Sequence, residues 1–158
     1  MWWRRSASEF EAHKGEPNRL AFRAIVEAEE EPGILALVDG EPAGWCSVAP
    51  RTVLPRLGRS RILKRVDEQP VWSITCFFVA RPYRRRGLSV ALLREAARHA
   101  RRRGAQIVEG YPVEPRADPM PDAFAWYGIA SAFRAAGFEE VARRSDTRPI
   151  MRMEVGAG

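Results

Sequence analysis

Residues 72–103 read WSITCFFVARPYRRRGLSVALLREAARHARRR, and the fold turns on this stretch. Trp72 to Val79 is an unbroken apolar and β-branched run, too short for an ordinary helix, and predicts a buried strand. Ala80 to Arg86 is a turn holding Pro82 and four arginines. From Leu88 to Arg103, the residues Leu88, Ala91, Leu92, Glu95, Ala96 and His99 recur at three- and four-residue steps, with arginines on the other face, and predict an amphipathic helix. Gly104 closes it, and its arginine-rich last turn suits the negative end of the helix dipole.

A strand, a basic turn with one glycine and a helix N-terminus together form a device for holding phosphate. The first turn of a helix has N–H groups without intrahelical partners, and the dipole favours negative charge there. Arg81, Arg84, Arg85 and Arg86 add charge, Gly87 lets a ligand approach the backbone, and Ser89 is too small to block it.

Arg84-Arg85-Arg86-Gly87-Leu88-Ser89 resembles the acyl-CoA pyrophosphate loop of the GNAT superfamily of N-acetyltransferases, Gln/Arg-x-x-Gly-x-Gly/Ala, with Ser89 in place of the usual Gly or Ala. The setting between an apolar strand and an amphipathic helix makes the short pattern specific. The resemblance implies that residues 84–89 bind the pyrophosphate of acetyl-CoA. It also implies that Phe78 and Val79 offer backbone partners to the pantetheine arm, with an N–H near Val79 as oxyanion donor.

Composition sets the frame. At 158 residues, with 46% hydrophobic and 29% charged residues, the chain reads as one globular domain, 1–158. No apolar run reaches the ~18–20 residues needed to cross a membrane, and MWWRRSASEFEAHK lacks the apolar core of a signal peptide, so the expectation is a cytoplasmic protein without membrane contact. Cys46 and Cys76 lie in strand patterns and read as buried thiols; with only His13 and His99 beside them, no metal site is expected. Residues 81–103 hold nine arginines against Glu95, a balance of +8, which leaves −2 for the rest of a chain whose total is +6. Positive charge concentrated in one place points to a polyanionic ligand at that place.

Along the chain, residues 6–14 predict a helix capped by Ser6 or Ser8, broken by Gly15 and Pro17, and residues 18–30 a second. Ile34–Val38 and Ala43–Ala49 predict a hairpin about Asp39-Gly40. Residues 50–69 read as irregular, with a short helix or extension over 61–66. Ala105–Tyr111 predicts a strand, 112–121 a proline-rich loop, and Ala123–Ala136 a helix capped by Gly137. Glu139–Arg143 and Pro149–Val155 predict a last pair of strands. This order gives an α/β fold, a three-layer arrangement with a mixed central sheet and helices on both faces. The resemblance then covers about residues 18–155 and implies that the family's usual first strand and helix are missing. The sheet edge so exposed could pair with a second copy.

An acyl transfer needs a thioester held beside an amine, a base, an oxyanion donor and a route for the proton to the leaving thiolate. Glu109, an acid inside an apolar strand beside the implied cleft, is the first candidate base, with Tyr111 as helper; the bland alternative is a solvent-facing or arginine-paired carboxylate. Many GNAT members carry Tyr-x-x-x-Gly-Phe before the final hairpin, whereas this chain has Phe133-Arg134-Ala135-Ala136-Gly137-Phe138. Phe133 cannot donate a proton, and its implied role is packing on the pantetheine arm. Tyr127, on a roughly opposite helical face, reads as a poor substitute, and Ser131 is another candidate donor. Trp45, Trp72 and Trp126 read as core, with Trp126, beside the proline-rich loop, also a candidate lining of the acceptor pocket; Asp118 and Asp122 read as solvated loop charges, the alternative being that they attract a cationic amine. The acceptor is expected between loops 50–69 and 112–125.

The leading expectation is an N-acetyltransferase using acetyl-CoA and acting on a small-molecule or protein amine. A non-catalytic acyl-CoA-binding domain is the alternative. A nucleic-acid-binding role, prompted by a pI near 10.1 and the arginine clusters, finds no helix-turn-helix, zinc or RNA-recognition pattern to support it.

Overall fold

In the computed structural model, which describes residues 1–115 and 126–156, two helices precede a six-stranded sheet. Helix α1 (Ala7–Ala12) starts on a capping box, with the Ser6 side chain accepting from the Glu9 backbone and the Glu9 carboxylate accepting from Ser6. Helix α2 (Glu16–Glu27) begins earlier than the sequence suggested. Pro17 starts it rather than breaking the chain, because the first turn needs no N–H donor.

Strands β1 (Gly33–Val38) and β2 (Glu41–Pro50) form the expected hairpin, with Asp39 and Gly40 both left-handed at φ 52° and 83°. Helix α3 (Pro55–Gly58) is a single turn, and residues 61–66 are neither helix nor strand. Arginines take carbonyls that a helix would have used: Arg51 donates to Leu63 O at 2.7 Å, and Arg144 to Lys64 O at 2.6 Å and Arg65 O at 2.9 Å.

Strand β3 (Trp72–Val79) has the bounds read from the sequence, and helix α4 (Leu88–Arg102) carries the chain to β4 (Ile107–Gly110). Helix α5 begins at Ala130, not at 123, and ends on Gly137 at φ 105° (Ala130–Ala136). Gly128 at φ 76° and Ile129, extended and bridged to Val113, stop a helix from reaching further back. Strands β5 (Glu139–Arg143) and β6 (Pro149–Glu154) complete the sheet in the order β1-β2-β3-β4-β6-β5, with β3 and β4 its parallel pair.

Helices α4 and α5 cover one face. Leu92, Leu93 and Ala96 pack there on Cys46, Val48, Ile74 and Val108, and a Cβ on Gly44 would meet Leu92 at 3.0 Å. Trp45, between Gly44 and Cys46, must then point to the opposite face, where Phe22 of α2 meets it edge-on with centroids 6.0 Å apart. A second apolar cluster on that face joins Leu54, Leu57, Leu63, Tyr111 and Ile150. The site lies where the two faces meet, at the end of β3.

Candidate active site

Strands β3 and β4 pair only over Trp72↔Val108, Ser73↔Glu109 and Ile74↔Gly110, so the last five residues of β3 have no β4 partner. Just where pairing stops, β3 is irregular. Ser47 pairs with Cys76 but Val48 with Ile74, which leaves Thr75 as an extra residue. A bulge bends its strand, and here it turns β3 away from β4. The Thr75 carbonyl accepts a hydrogen bond from Trp3 Nε1 at 3.0 Å. Phe78 and Val79 pair on one side only, with Trp45 and Gly44 of β2, so their far side faces the split.

Beyond Val79 the chain turns through residues 80–87 into α4. Arg84 Nε donates to Val79 O at 3.0 Å, which ties the turn to the strand end. Arg81, Arg85 and Arg86 are exposed, with the Arg86 guanidinium 5.8 Å from the Tyr83 ring centroid. Gly87 caps α4 in the left-handed region at φ 77°, and no side chain caps the helix. A Cβ added at Gly87 would meet no atom within 4 Å, so the space over the first turn is open. Leu88 and Ser89 sit in that turn, where backbone N–H groups lack intrahelical acceptors. The loop thus offers uncapped donors, a dipole end and guanidinium groups to one anion, a set of donors that fits a pyrophosphate.

On the α2 side of the split lies a cleft of about 750 Å³. Phe78 of β3, Trp45 of β2, Phe22 of α2, Trp2 and Phe10 line it. Trp126 and Tyr127 line it from the other side. Trp2 and Trp3 are therefore packed, Trp2 edge-on to Phe10 at 5.0 Å and under the Arg56 guanidinium at 3.3 Å. Thr75, Ser47 and Cys76 are the short polar groups at the cleft, and Arg4 its charged side chain among the described residues. Burial pushes the Cys76 thiol up from its ordinary value, so it stays protonated at neutral pH. Cys46, also a free thiol, is fully buried and pushed up further by the same cause.

Glu109 and Tyr111, expected to act together, are brought together, but inside a buried polar cluster. Tyr111 Oη donates to Glu109 Oε1 at 2.6 Å and lies 2.8 Å from Ser73 Oγ. Arg51 donates to the same Glu109 oxygen at 3.1 Å, and Arg152 Nε to the other at 2.8 Å. Arg152 continues to Asp67 at 2.6 Å. Glu109 is 0% exposed, with both carboxylate oxygens taken by guanidinium groups, so the arginine-paired alternative is the geometry found. Burial, reinforced by the Glu109 charge, pushes the Tyr111 phenol far up, and it stays neutral.

The chain matches the model of the acetyltransferase (GNAT) family over residues 1–127. It belongs to that family. A GNAT acetyltransferase structure from Desulfovibrio desulfuricans aligns with a TM-score of 0.58 at 18% identity, covering 95% of this chain and 83% of the other. The ribosomal-protein-alanine N-acetyltransferase of Brucella melitensis aligns at 0.56 and 18% identity, over 87% and 76%. The acetyltransferase yncA of Salmonella typhimurium, solved with its cofactor acetyl-CoA, aligns at 0.57 and 16% identity, over 87% and 72%. At such identities the likeness is one of fold. No curated protein matches the chain in sequence.

Against the GNAT pattern, Phe133 is a core residue here. It is 0% exposed, packs edge-on to Phe138 with centroids 5.0 Å apart, and lies so close that a Cβ on Gly110 would fall 2.1 Å from its ring. That burial leaves it no surface to offer a ligand. Tyr127, read from the sequence as a poor substitute, is a phenol that lines the cleft. Helical phase assigned it to the wrong face, yet it precedes Gly128 and is outside the helix. It sits with the Arg148 guanidinium 4.0 Å from its ring centroid and Trp3 edge-on at 6.1 Å. Only the left-handed Gly128 hinted at this. Ser131 is exposed on α5. His99 is buried and packs edge-on to Trp72 at 6.0 Å. Asp118 and Asp122 lie outside the described residues. Among the described residues no cluster of His, Cys, Asp and Glu is placed to hold a metal, and no helix is long and apolar enough to cross a membrane.

Proposed function

We propose that the protein is an N-acetyltransferase that moves the acetyl group of acetyl-CoA to a primary amine. One observation carries this reading. An uncapped α4 N-terminus behind left-handed Gly87, ringed by arginines, stands at the end of a strand from which β4 has parted. The thioester of acetyl-CoA supplies the acyl group. The chain's own residues do the rest. Backbone N–H groups of 87–89 with Arg84–Arg86 hold the pyrophosphate, and the unpaired side of Phe78 and Val79 holds the arm and polarises the carbonyl oxygen. The raised thiol of Cys76 argues against an acyl-cysteine step and for direct attack by the acceptor.

Glu109 and Tyr111 are best read as positioning residues. Through Arg51 and Arg152 they tie β4 to loop 60–69, and through Ser73 to β3, at the base of the split. Tyr127 brings a phenol to the cleft, which Phe133 does not, and we assign it the proton for the departing thiolate.

The β1 edge supports self-association. Gly33–Val38 carries no charge, and Leu35 and Leu37 are 63% and 61% exposed, whereas the β5 edge carries Glu139, Glu140 and Arg143. Sedimentation showing a dimer that Leu35→Lys dissociates is the expected result.

The deciding experiment is calorimetric titration with acetyl-CoA, with ATP and a short DNA duplex as controls, followed by release of CoA thiol in the presence of amines. Selective CoA binding with turnover is expected. Binding without turnover would make the chain a non-catalytic acyl-CoA-binding domain. DNA binding that weakens steeply with salt, without CoA binding, would overturn both.

A further inference from the structure

We propose that the acceptor is an uncharged aromatic primary amine, an arylamine, seated in the aromatic cleft beside the free side of β3. This rests on the N-acetyltransferase reading and adds a substrate class to it.

The first argument is the lining. Phe78 is 50% exposed and Trp126 58% exposed, both at the cleft, although aromatic rings are among the costliest groups to leave in water. Exposed apolar surface of this kind, beside the stretch of β3 that β4 leaves unpaired, marks a ligand with an apolar body. The volume of about 750 Å³ is ample for one or two rings.

The second argument is charge. A dicationic or polycationic acceptor needs carboxylates to replace its water, and none lines the cleft among the described residues. Among the described residues the charged side chain there is Arg4, whose guanidinium would repel an ammonium. Arg4 is itself mostly buried, at 12% side-chain exposure, and leans on Glu30 at 3.7 Å.

The third argument is the proton. An alkylamine with a lysine-like pKa is free base in only about one molecule in a thousand at neutral pH, so it must lose a proton before attack. Glu109 is sealed in ion pairs, the Cys76 thiol stays protonated, and no His, Asp or Glu lines the cleft among the described residues. An arylamine has its lone pair shared with the ring and is uncharged at that pH. It arrives ready to attack, without needing a carboxylate or imidazole base among the described residues of the cleft. In the transfer, the amine N–C bond forms as the thioester C–S bond breaks. One N–H proton passes to the sulfur, giving an N-aryl acetamide and CoA thiol, with no oxidant or reductant.

Tryptophan fluorescence of the full chain is titrated with 4-ethylaniline, phenethylamine and spermidine, and acetyl transfer to each is followed from pH 6 to 9. Expected are saturable quenching by 4-ethylaniline and its acetylation at a rate nearly flat with pH. Phenethylamine, with a similar body but a charged nitrogen, should rise about tenfold per pH unit. Spermidine should be the poorest. Trp126→Ala, at the exposed rim, should weaken 4-ethylaniline about tenfold in both quenching and KM with acetyl-CoA affinity unchanged. Trp126→Asp should shift preference toward phenethylamine. Acetylation of spermidine ahead of 4-ethylaniline, or quenching and KM indifferent to Trp126→Ala, would overturn the inference while leaving the N-acetyltransferase reading in place. Failure of acetyl-CoA to bind would remove that reading instead, and the quenching titration would still report whether the cleft takes an arylamine.

Discussion

The two halves of the site are built on opposite plans. The proposed phosphate loop is contiguous, residues 81–89, largely exposed and cationic, and offers uncapped backbone N–H groups behind one left-handed glycine. The cleft is assembled from the N-terminal segment, α2, β2, Leu54, β3 and residues 126–127, and is aromatic with a single charged side chain among the described residues. The difference matches the two proposed ligands. A pyrophosphate is the same in every acyl-CoA and is met by local geometry that a short motif encodes. An acceptor is met by side chains that tertiary structure gathers, so each can change without disturbing the other.

Between them lies the buried cluster of Arg51, Glu109, Tyr111, Ser73 and Arg152, which joins the strands at the base of the split. Glu109→Gln should do the most damage, because it strips the countercharge from two buried guanidiniums. A loss of about 3 kcal/mol or more is expected, read as a lower denaturant midpoint. Both halves of the site should suffer together. Wild-type stability with the acid limb of the pH–rate profile erased would return Glu109 to the base role and separate the cleft's chemistry from its scaffold.

Gly87→Val should break one half alone. Valine is strained at φ 77° and fills the open approach, so acetyl-CoA affinity should fall about a hundredfold while 4-ethylaniline quenching is untouched. An unchanged acetyl-CoA affinity in calorimetry would end the phosphate-loop assignment. Tyr127→Phe tests the other half. A thiolate leaves readily, so help from the phenol should be worth only about tenfold in kcat, with acetyl-CoA affinity preserved. An unaltered kcat would mean that water alone protonates the sulfur.

The smallest effect should fall outside both halves. The Arg134 guanidinium, with Arg143, holds the Glu114 carboxyl down at about 2. A carboxylate lowered on folding stabilises above its ordinary pKa, and that contribution drains away as pH falls from about 4.5 toward 2. The pair is partly exposed, so solvent screening reduces the gain to about 1 kcal/mol. Glu114→Gln should lower the melting temperature by a few degrees at pH 7 and by nothing near pH 2. A shift that persists at pH 2 would show that packing, not charge, sets it.

What the sequence determined was local. Strand β3, the hairpin about Asp39-Gly40, the Ser6 cap, the Gly137 stop and the arginine loop rest on neighbours within a few residues, and each was legible from spacing and turn chemistry. Tertiary structure decided the rest. Residues 61–66 were drawn out of regular structure by Arg51 and Arg144 from distant positions. Glu109 looked like an acid in an apolar strand until Arg51 and Arg152, more than forty residues away on either side, closed on it. Tyr127 was read in a helical phase that Gly128 interrupts, and the aromatic cleft, drawn from six separate segments, has no linear signature. Backbone conformation is set by nearby side chains. A side chain's charge, burial and ligand are set by what the fold brings across from elsewhere.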